Sequence, residues 1–244
     1  MIKKLKGRQR IQLIACNNIN YVYKTEFHLG ESAWKWNPTL KSFIYKEISQ
    51  IHIIRIPAFL LIIGKVLNLI REVMRFRGKV VIVANNLANG KVIERLVKTM
   101  RQPALLTKYY AGGLTRKTEN LRQYLEADKG LTNLKVRSKY IKQLIGLQDL
   151  ERKPAYIVIL DAIQGKFLIN ESAILGIPTI GCGDTTINFP KLNYPLIGNF
   201  KSREKRGSVL LLIKHAMFEG MRQEATIFAE YYNKYTRMYK SFLK

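Results

Sequence analysis

Pro154-Ala155-Tyr156-Ile157-Val158-Ile159-Leu160-Asp161 is the stretch that decides the fold. An apolar run this short, rich in β-branched side chains and closed by a carboxylate, reads as a strand buried on both faces. A helix is expected over Phe167 to Leu175. Ile177-Pro-Thr-Ile-Gly-Cys182 is the next strand, with Pro178 at its start, where a missing N–H is tolerated. Strand, helix and strand in immediate succession make a βαβ unit, and such units build parallel sheets with helices on their faces. Asp161 and Asp184 fall just past the carboxyl ends of the two strands.

Outward from this unit the pattern repeats. Val80-Val-Ile-Val-Ala84 is a buried strand, and Val92, Leu96, Val97 and Met100 mark one face of a helix beginning near Leu87. Ala104-Leu-Leu106 is a shorter strand, while Pro195-Leu-Ile197 and a helix from Ser208 to Glu219 add an edge strand and cover one sheet face. Nearer the N-terminus, Phe43-Ile-Tyr45 and Ile51-His-Ile-Ile54 predict a small hairpin. A helix follows it from Pro57, placed as an N1 residue, to about Arg75. Thr115 to Arg152 holds no strand candidate. There Leu121, Leu125, Tyr140, Leu144, Leu147 and Leu150 keep helical spacing around Asp128-Lys-Gly130, which predicts an inserted helical hairpin. The expected organisation is one α/β domain built from residues 1–114 and 153–220, an inserted hairpin at 115–152 and a basic helical tail at 221–244.

Charge bounds the function. In 244 residues, 42 Lys and Arg oppose 17 Asp and Glu, a net +25 with His neutral, beside an ordinary hydrophobic fraction of 47%. Such a surface calls for an anionic partner, nucleic acid or an anionic membrane. The most apolar stretch, Ile51 to Ile70, is interrupted by His52, Arg55, Pro57 and Lys65. It therefore lacks the ~18 to 20 uninterrupted apolar residues of a spanning helix. The opening Met1-Ile-Lys-Lys-Leu-Lys-Gly-Arg-Gln-Arg10 has no apolar core of a secretory signal and is too short and too poor in Ser for an obvious transit peptide, which leaves a removed presequence open. Cys16 and Cys182 are the only cysteines, so neither a disulfide framework nor a multi-cysteine zinc site is expected, and a reducing compartment fits. His28, His52 and His215 are too scattered to suggest a shared metal.

Several local motifs carry two readings. After the strand at 80–84 stands Asn85-Asn-Leu-Ala-Asn-Gly90-Lys91, which is neither G-x-G-x-x-G nor G-x-x-x-x-G-K-[ST], so nucleotide binding is not expected. Asp161 and Asp184 are either a catalytic or metal-binding pair or two acceptors for the N–H groups of the loops that follow; the second needs no chemistry and is preferred. Ala111-Gly112-Gly113-Leu114-Thr115 either presents N–H groups to a phosphate or turns tightly into a helix capped by Thr115. Trp34-Lys35-Trp36-Asn37-Pro38 interleaves rings with a cation, a composition that stacks on bases or packs its tryptophans on the domain. Lys201-Ser-Arg203-Glu-Lys205-Arg206 and Arg116-Lys117 are cationic runs at helix starts. Their expected partner is phosphate, because so large an excess of cations repels itself without counter-charge. The candidate RNA contacts are Arg8, Arg10, Trp34, Lys35, Trp36, Lys108, Gly112, Gly113, Arg116, Lys117, Lys201, Arg203, Lys205 and Arg206.

Taken in order, these segments resemble the universal small-subunit protein 2 family of the ribosome. Phe27-His28-Leu29-Gly30 followed by Trp36-Asn37-Pro38 resembles the family's opening pattern, and Gly112-Gly113-Leu114-Thr115 is similar to its Gly-Gly-x-Leu-Thr-Asn element, one residue shorter and with Arg116 in place of Asn. Pro154 to Asp161, then Ile169-Asn-Glu171 and Leu175-Gly-Ile-Pro178, resemble its second signature at the proper spacing, with Gly165 as a departure. Asp184-Thr185 and Pro195-Leu-Ile-Gly198-Asn199 resemble two later elements. The resemblance implies a Rossmann-like or flavodoxin-like parallel sheet flanked by helices, with a short coiled-coil insertion, here shorter than in typical bacterial members. It also implies small-subunit rRNA and neighbouring ribosomal proteins as partners, and no catalysis, cofactor, metal, small-molecule substrate or membrane. The departures, with abundant Ile, Lys, Asn and Tyr, look like an organellar lineage with AT-rich coding, mitochondrial in preference to plastid. The rival readings are a Rossmann-like nucleotide- or metal-dependent enzyme centred on Asp161 and Asp184, and a free RNA-binding regulator.

Overall fold

A computed structural model describes residues 26–84, 153–188 and 190–242, with positions 94, 99–100, 102–106, 109, 114, 146–147 and 150. The described residues begin with a three-stranded antiparallel sheet of β1 (Leu29–Ser32), β2 (Ile44–Ile48) and β3 (Ile51–Ile54), in the order β1-β3-β2. The expected hairpin is its β2–β3 half. Ser49 and Gln50 turn it with φ of 48° and 61°, the paired left-handed conformation that suits a two-residue hairpin loop. Strand β1 went unforeseen because Leu-Gly-Glu-Ser shows no alternation; its pairing with β3 makes the strand.

Helix α1 (Ile56–Arg75) follows, with Pro57 in its first turn, where a proline lacks no needed N–H. A second, parallel sheet comprises β4 (Val80–Val83), β5 (Ala104–Leu105), β6 (Tyr156–Ile159), β7 (Thr179–Gly183) and β8 (Tyr194–Ile197), in the order β5-β4-β6-β7-β8. Counting only these strands, the order is second, first, third, fourth, fifth, which is the flavodoxin-like arrangement. The expected α/β class and parallel sheet are present. Helix α2 (Lys166–Ile174) links β6 to β7, and α3 (Arg203–Phe242) follows β8. Of the helix expected from Leu87, positions 94, 99 and 100 are described and are helical. The inserted hairpin at 115–152 lies outside the described residues except at 146–147 and 150.

Alternation along the buried strands divides the core in two. Val80, Ile82, Val158, Leu160, Ile180, Cys182 and Leu196 face one side and pack with the inner faces of α1 and α3. Val81, Val83, Ile157, Ile159 and Ile197 face the other, against Leu168 and Ile169 of α2 and against Leu40, Leu147, Leu150 and Leu192. The helix expected over 208–219 and the basic tail expected after it form one continuous α3. Gly220 does not break it because Gly220 is the point of closest approach to α1: an added Cβ would overlap the Arg71 carbonyl and lie 2.6 Å from Met74 Cβ. Beside it the buried Arg71 guanidinium lies 3.6 Å from the Glu219 carboxylate and donates to Asn68 Oδ1 at 2.6 Å.

Three substitutions test this packing. Ile157→Ala removes a fully buried side chain and should cost ~2 to 5 kcal/mol in urea denaturation. Gly220→Val should separate α1 from α3 and lower the melting temperature, whereas Gly64→Ala, with open space at its Cβ, should raise stability by ~0.5 to 1 kcal/mol.

Candidate nucleic-acid interface

Three rings anchor the N-terminal segment. Phe27 lies with its ring centroid 5.6 Å from both Phe59 of α1 and Phe200 beyond β8. The backbone is tied at the same place: Asn199 N donates to Phe27 O at 3.0 Å, and Ile54 N to His28 O at 2.7 Å. Thr185, immediately after β7 and Asp184, continues the seam. Its hydroxyl accepts from Glu31 N at 3.0 Å, and its carbonyl accepts from Asn37 N at 2.9 Å. Gly30 permits this approach, since a Cβ there would meet His52 O and Thr185 Cγ2, each at 2.9 Å. The antiparallel sheet therefore covers the carboxyl ends of β7 and β8, part of the edge where open α/β sheets take ligands.

The two tryptophans have different environments. Trp34 is 76% exposed, with Lys35 Nζ 4.3 Å above its ring. Trp36 is half-buried against the imidazole of buried His52, centroid to centroid 5.2 Å. Only Trp34 is open to stack on a base. Tyr45 repeats the arrangement on β2, 66% exposed with Lys46 Nζ 5.8 Å from its ring. Lys41 and Arg55 are exposed nearby in the chain. Lys41, Tyr45 and Lys46 were not among the sequence candidates. The missed signal is that β2 exposes four consecutive residues, Tyr45 to Ile48, so its cations and ring stand clear of the core.

The loop from Lys201 is engaged within the protein. Lys201 pairs with Glu31, and Lys205 Nζ lies 3.7 Å from the Glu26 carboxylate while donating to the Glu26 carbonyl at 3.4 Å. Arg206 donates to Phe200 O at 2.6 Å. Ser202 Oγ accepts from Lys205 N at 3.2 Å and so caps α3, whose first residue is Arg203. Lys201 and Lys205, expected to meet phosphate, thus fasten the start of α3 to the N-terminal segment, while the side chain of Arg203 lies outside the described ones. Candidates Arg8, Arg10, Lys108, Gly112, Gly113, Arg116 and Lys117 lie outside the described residues.

Both strand-end carboxylates hold turns. Asp161 Oδ1 accepts from Ile163 N at 3.1 Å and from Gln164 N at 3.3 Å, ahead of α2, whose N-cap Gly165 offers no side chain. Asp184 Oδ1 accepts from Thr186 N at 2.9 Å and from the Thr186 hydroxyl at 2.5 Å. Among the described residues, no group of three or more His, Cys, Asp and Glu is arranged to hold a metal, and no helix is long and apolar enough to cross a membrane. Burial, reinforced by the nearby Asp161 charge, pushes the Cys182 thiol up to about 12, so it remains protonated at neutral pH. Glu171 is a further anchor that sequence reasoning did not assign. Buried in α2, it accepts from the Tyr109 hydroxyl at 2.6 Å and from Leu114 N at 3.0 Å, which fixes the chain on either side of 110–113.

Residues 22–220 match the family profile of ribosomal protein S2. The chain is also similar to small ribosomal subunit proteins uS2 of two rickettsiae. It is 25% identical to that of Rickettsia typhi over 228 residues, covering 86% of this chain and 77% of the relative. Identity and coverage are the same for Rickettsia prowazekii.

The geometry separates contact residues from anchors. Trp34→Ala should change the stability of the isolated protein by no more than ~0.5 kcal/mol, as for other exposed positions. Lys205→Glu, which sets a carboxylate against Glu26 and removes the bond to the Glu26 carbonyl, should destabilise it by up to ~1 kcal/mol. Melting curves of the two variants beside the parent decide the point.

Proposed function

The chain belongs to the ribosomal protein S2 family, and we propose that it acts there as an rRNA clamp, its cations neutralising phosphates while the α/β domain holds faces for protein neighbours. It is a structural protein of the small ribosomal subunit and serves translation. The observation that carries the clamp is the exposed Trp34 and Tyr45, each under a lysine, on a chain of net charge +25. Phosphate contacts position a protein without reading sequence, while rings stack on unpaired bases and add selectivity. Lys35, Lys41 and Lys46 are the phosphate contacts of this surface; Arg8, Arg10, Lys108, Gly112, Gly113, Arg116 and Lys117, outside the described residues, are the further RNA contacts of the same reading.

A scaffold without turnover is favoured over an enzyme. Asp161 and Asp184 serve as backbone acceptors, and the N-terminal sheet occupies the space beyond β7 and β8. No cofactor is required. Its compartment is the mitochondrion, a reading supported by the abundance of Ile, Lys, Asn and Tyr and by the departures at Arg116 and Gly165.

The first test is sedimentation of the native protein in high salt. It should travel with the small subunit, and its absence from that peak would remove the ribosomal reading. The second is binding to a small-subunit rRNA fragment across a salt series. Replacing Lys35, Lys41 and Lys46 by Glu should lower the slope of log affinity against log salt by about 1 for each phosphate no longer neutralised. Trp34→Ala should cost ~1 to 3 kcal/mol, nearly independent of salt. An unchanged slope in the triple variant would take this face out of the RNA interface.

A further inference from the structure

Helix α2 buries Leu168, Ile169, Glu171 and Ser172 and turns a second face to solvent. On that outer face Phe167 and Ile174 are 62% and 80% exposed, and Ile163, in the turn before the helix, is 55% exposed. With Asn170 they recur at steps of four, three and four, the spacing of one helical stripe. A single exposed apolar side chain signifies nothing. Three on one stripe form a patch, and such patches mark association surfaces.

A cleft of about 320 Å³ opens beside this stripe, between α2 and the segment that follows β7. Its apolar lining includes Ala162, Ile163, Ile169 and Pro190, and the ionisable side chains lining it, Lys166 and Lys191, are both cations. Neither Asp161 nor Asp184 is part of the lining; each accepts from backbone N–H groups of its own turn. An occupant matched to this surface brings apolar side chains for the stripe and carboxylates for the two lysines.

We propose that the outer face of α2 and its cleft form a docking site for an acidic-flanked apolar segment of a neighbouring protein in the small subunit. This rests on the assignment of the chain to that subunit and adds which face meets protein. The chemistry favours protein over RNA here. Interfaces between proteins have an apolar centre and a polar rim, and here exposed Ile163 belongs both to the apolar stripe and to the wall of a cleft that Lys166 and Lys191 also line. An RNA backbone brings phosphates and sugars, which would bury Ile174 without apolar contact; the exposed cation-capped rings at Trp34 and Tyr45 suit it better.

The test uses full-length protein carrying Cys16→Ser with either Phe167→Cys or Ile174→Cys; buried Cys182 stays silent to maleimide. Each variant is labelled free in solution and after assembly into small subunits, and a third variant carries a benzophenone amino acid at Ile163 for photocrosslinking. Labelling at both positions should slow at least tenfold on assembly, and the crosslink should join a protein and survive ribonuclease. Adding Lys166→Glu and Lys191→Glu should restore most of the labelling rate seen in the free protein. Equal labelling in free and assembled states, a ribonuclease-sensitive crosslink, or protection untouched by the double charge reversal would each overturn the proposal. Co-sedimentation is scored in the same preparations: variants in the subunit peak with an unprotected α2 face refute only the docking site, whereas absence of the parent protein from that peak refutes the ribosomal assignment and the docking site together.

Discussion

Strands β4 and β6 lie side by side in parallel register, Val81 opposite Ile157 and Val83 opposite Ile159, with no exposed side chain from Ile157 to Leu160 or from Val80 to Ala84. A backbone so deep must satisfy its N–H and C=O groups through neighbouring strands, since water does not reach it. Both faces must also be covered by apolar surface. The remaining architecture answers these two demands. α1 and α3 close one face, and α2 with Leu147 and Leu150 closes the other. The close crossing of α1 and α3 in turn requires Gly220 and leaves the Arg71 guanidinium buried between Asn68 and Glu219.

The N-terminal sheet changes what this common framework can do. In an open parallel sheet the carboxyl edge is the natural place for a ligand. Here Thr185 is bonded from Glu31 and Asn37, and Asn199 is bonded to Phe27, so backbone occupies the edge at β7 and β8. What stands open to solvent is on outward faces: Trp34 and Tyr45 with their lysines, and the apolar stripe of α2.

The scarcity of acids shapes the electrostatics. Among the described residues Glu26 and Glu31 hold Lys205 and Lys201, Glu219 and Glu224 meet Arg71 and Arg77, and Glu171, Asp161 and Asp184 accept from backbone N–H groups. These carboxylates are committed to internal ties, and most of the 42 cations have no acid to match them. Exposed ion pairs contribute little to stability individually, so the ties matter chiefly as placement: they fix the start of α3 against β1 and the N-terminal segment.

Local composition was enough to specify the strands at 80–83 and 156–159, the class of fold, the hairpin before α1 and the demand for an anionic partner. Unbroken β-branched runs, helical spacing and the sum of charges are legible without knowing what lies across the fold. Other features depend on residues far apart in the chain. Leu29–Ser32 is a strand because β3 stands beside it, and Gly220 continues a helix because α1 leaves no room for a side chain. Trp34 is open while Trp36 lies on His52, and Lys201 and Lys205 of the basic run pair with Glu31 and Glu26. A charged or aromatic residue carries the same letter whether it faces solvent or a partner from the other end of the chain, and the distinction arises only when the chain closes on itself.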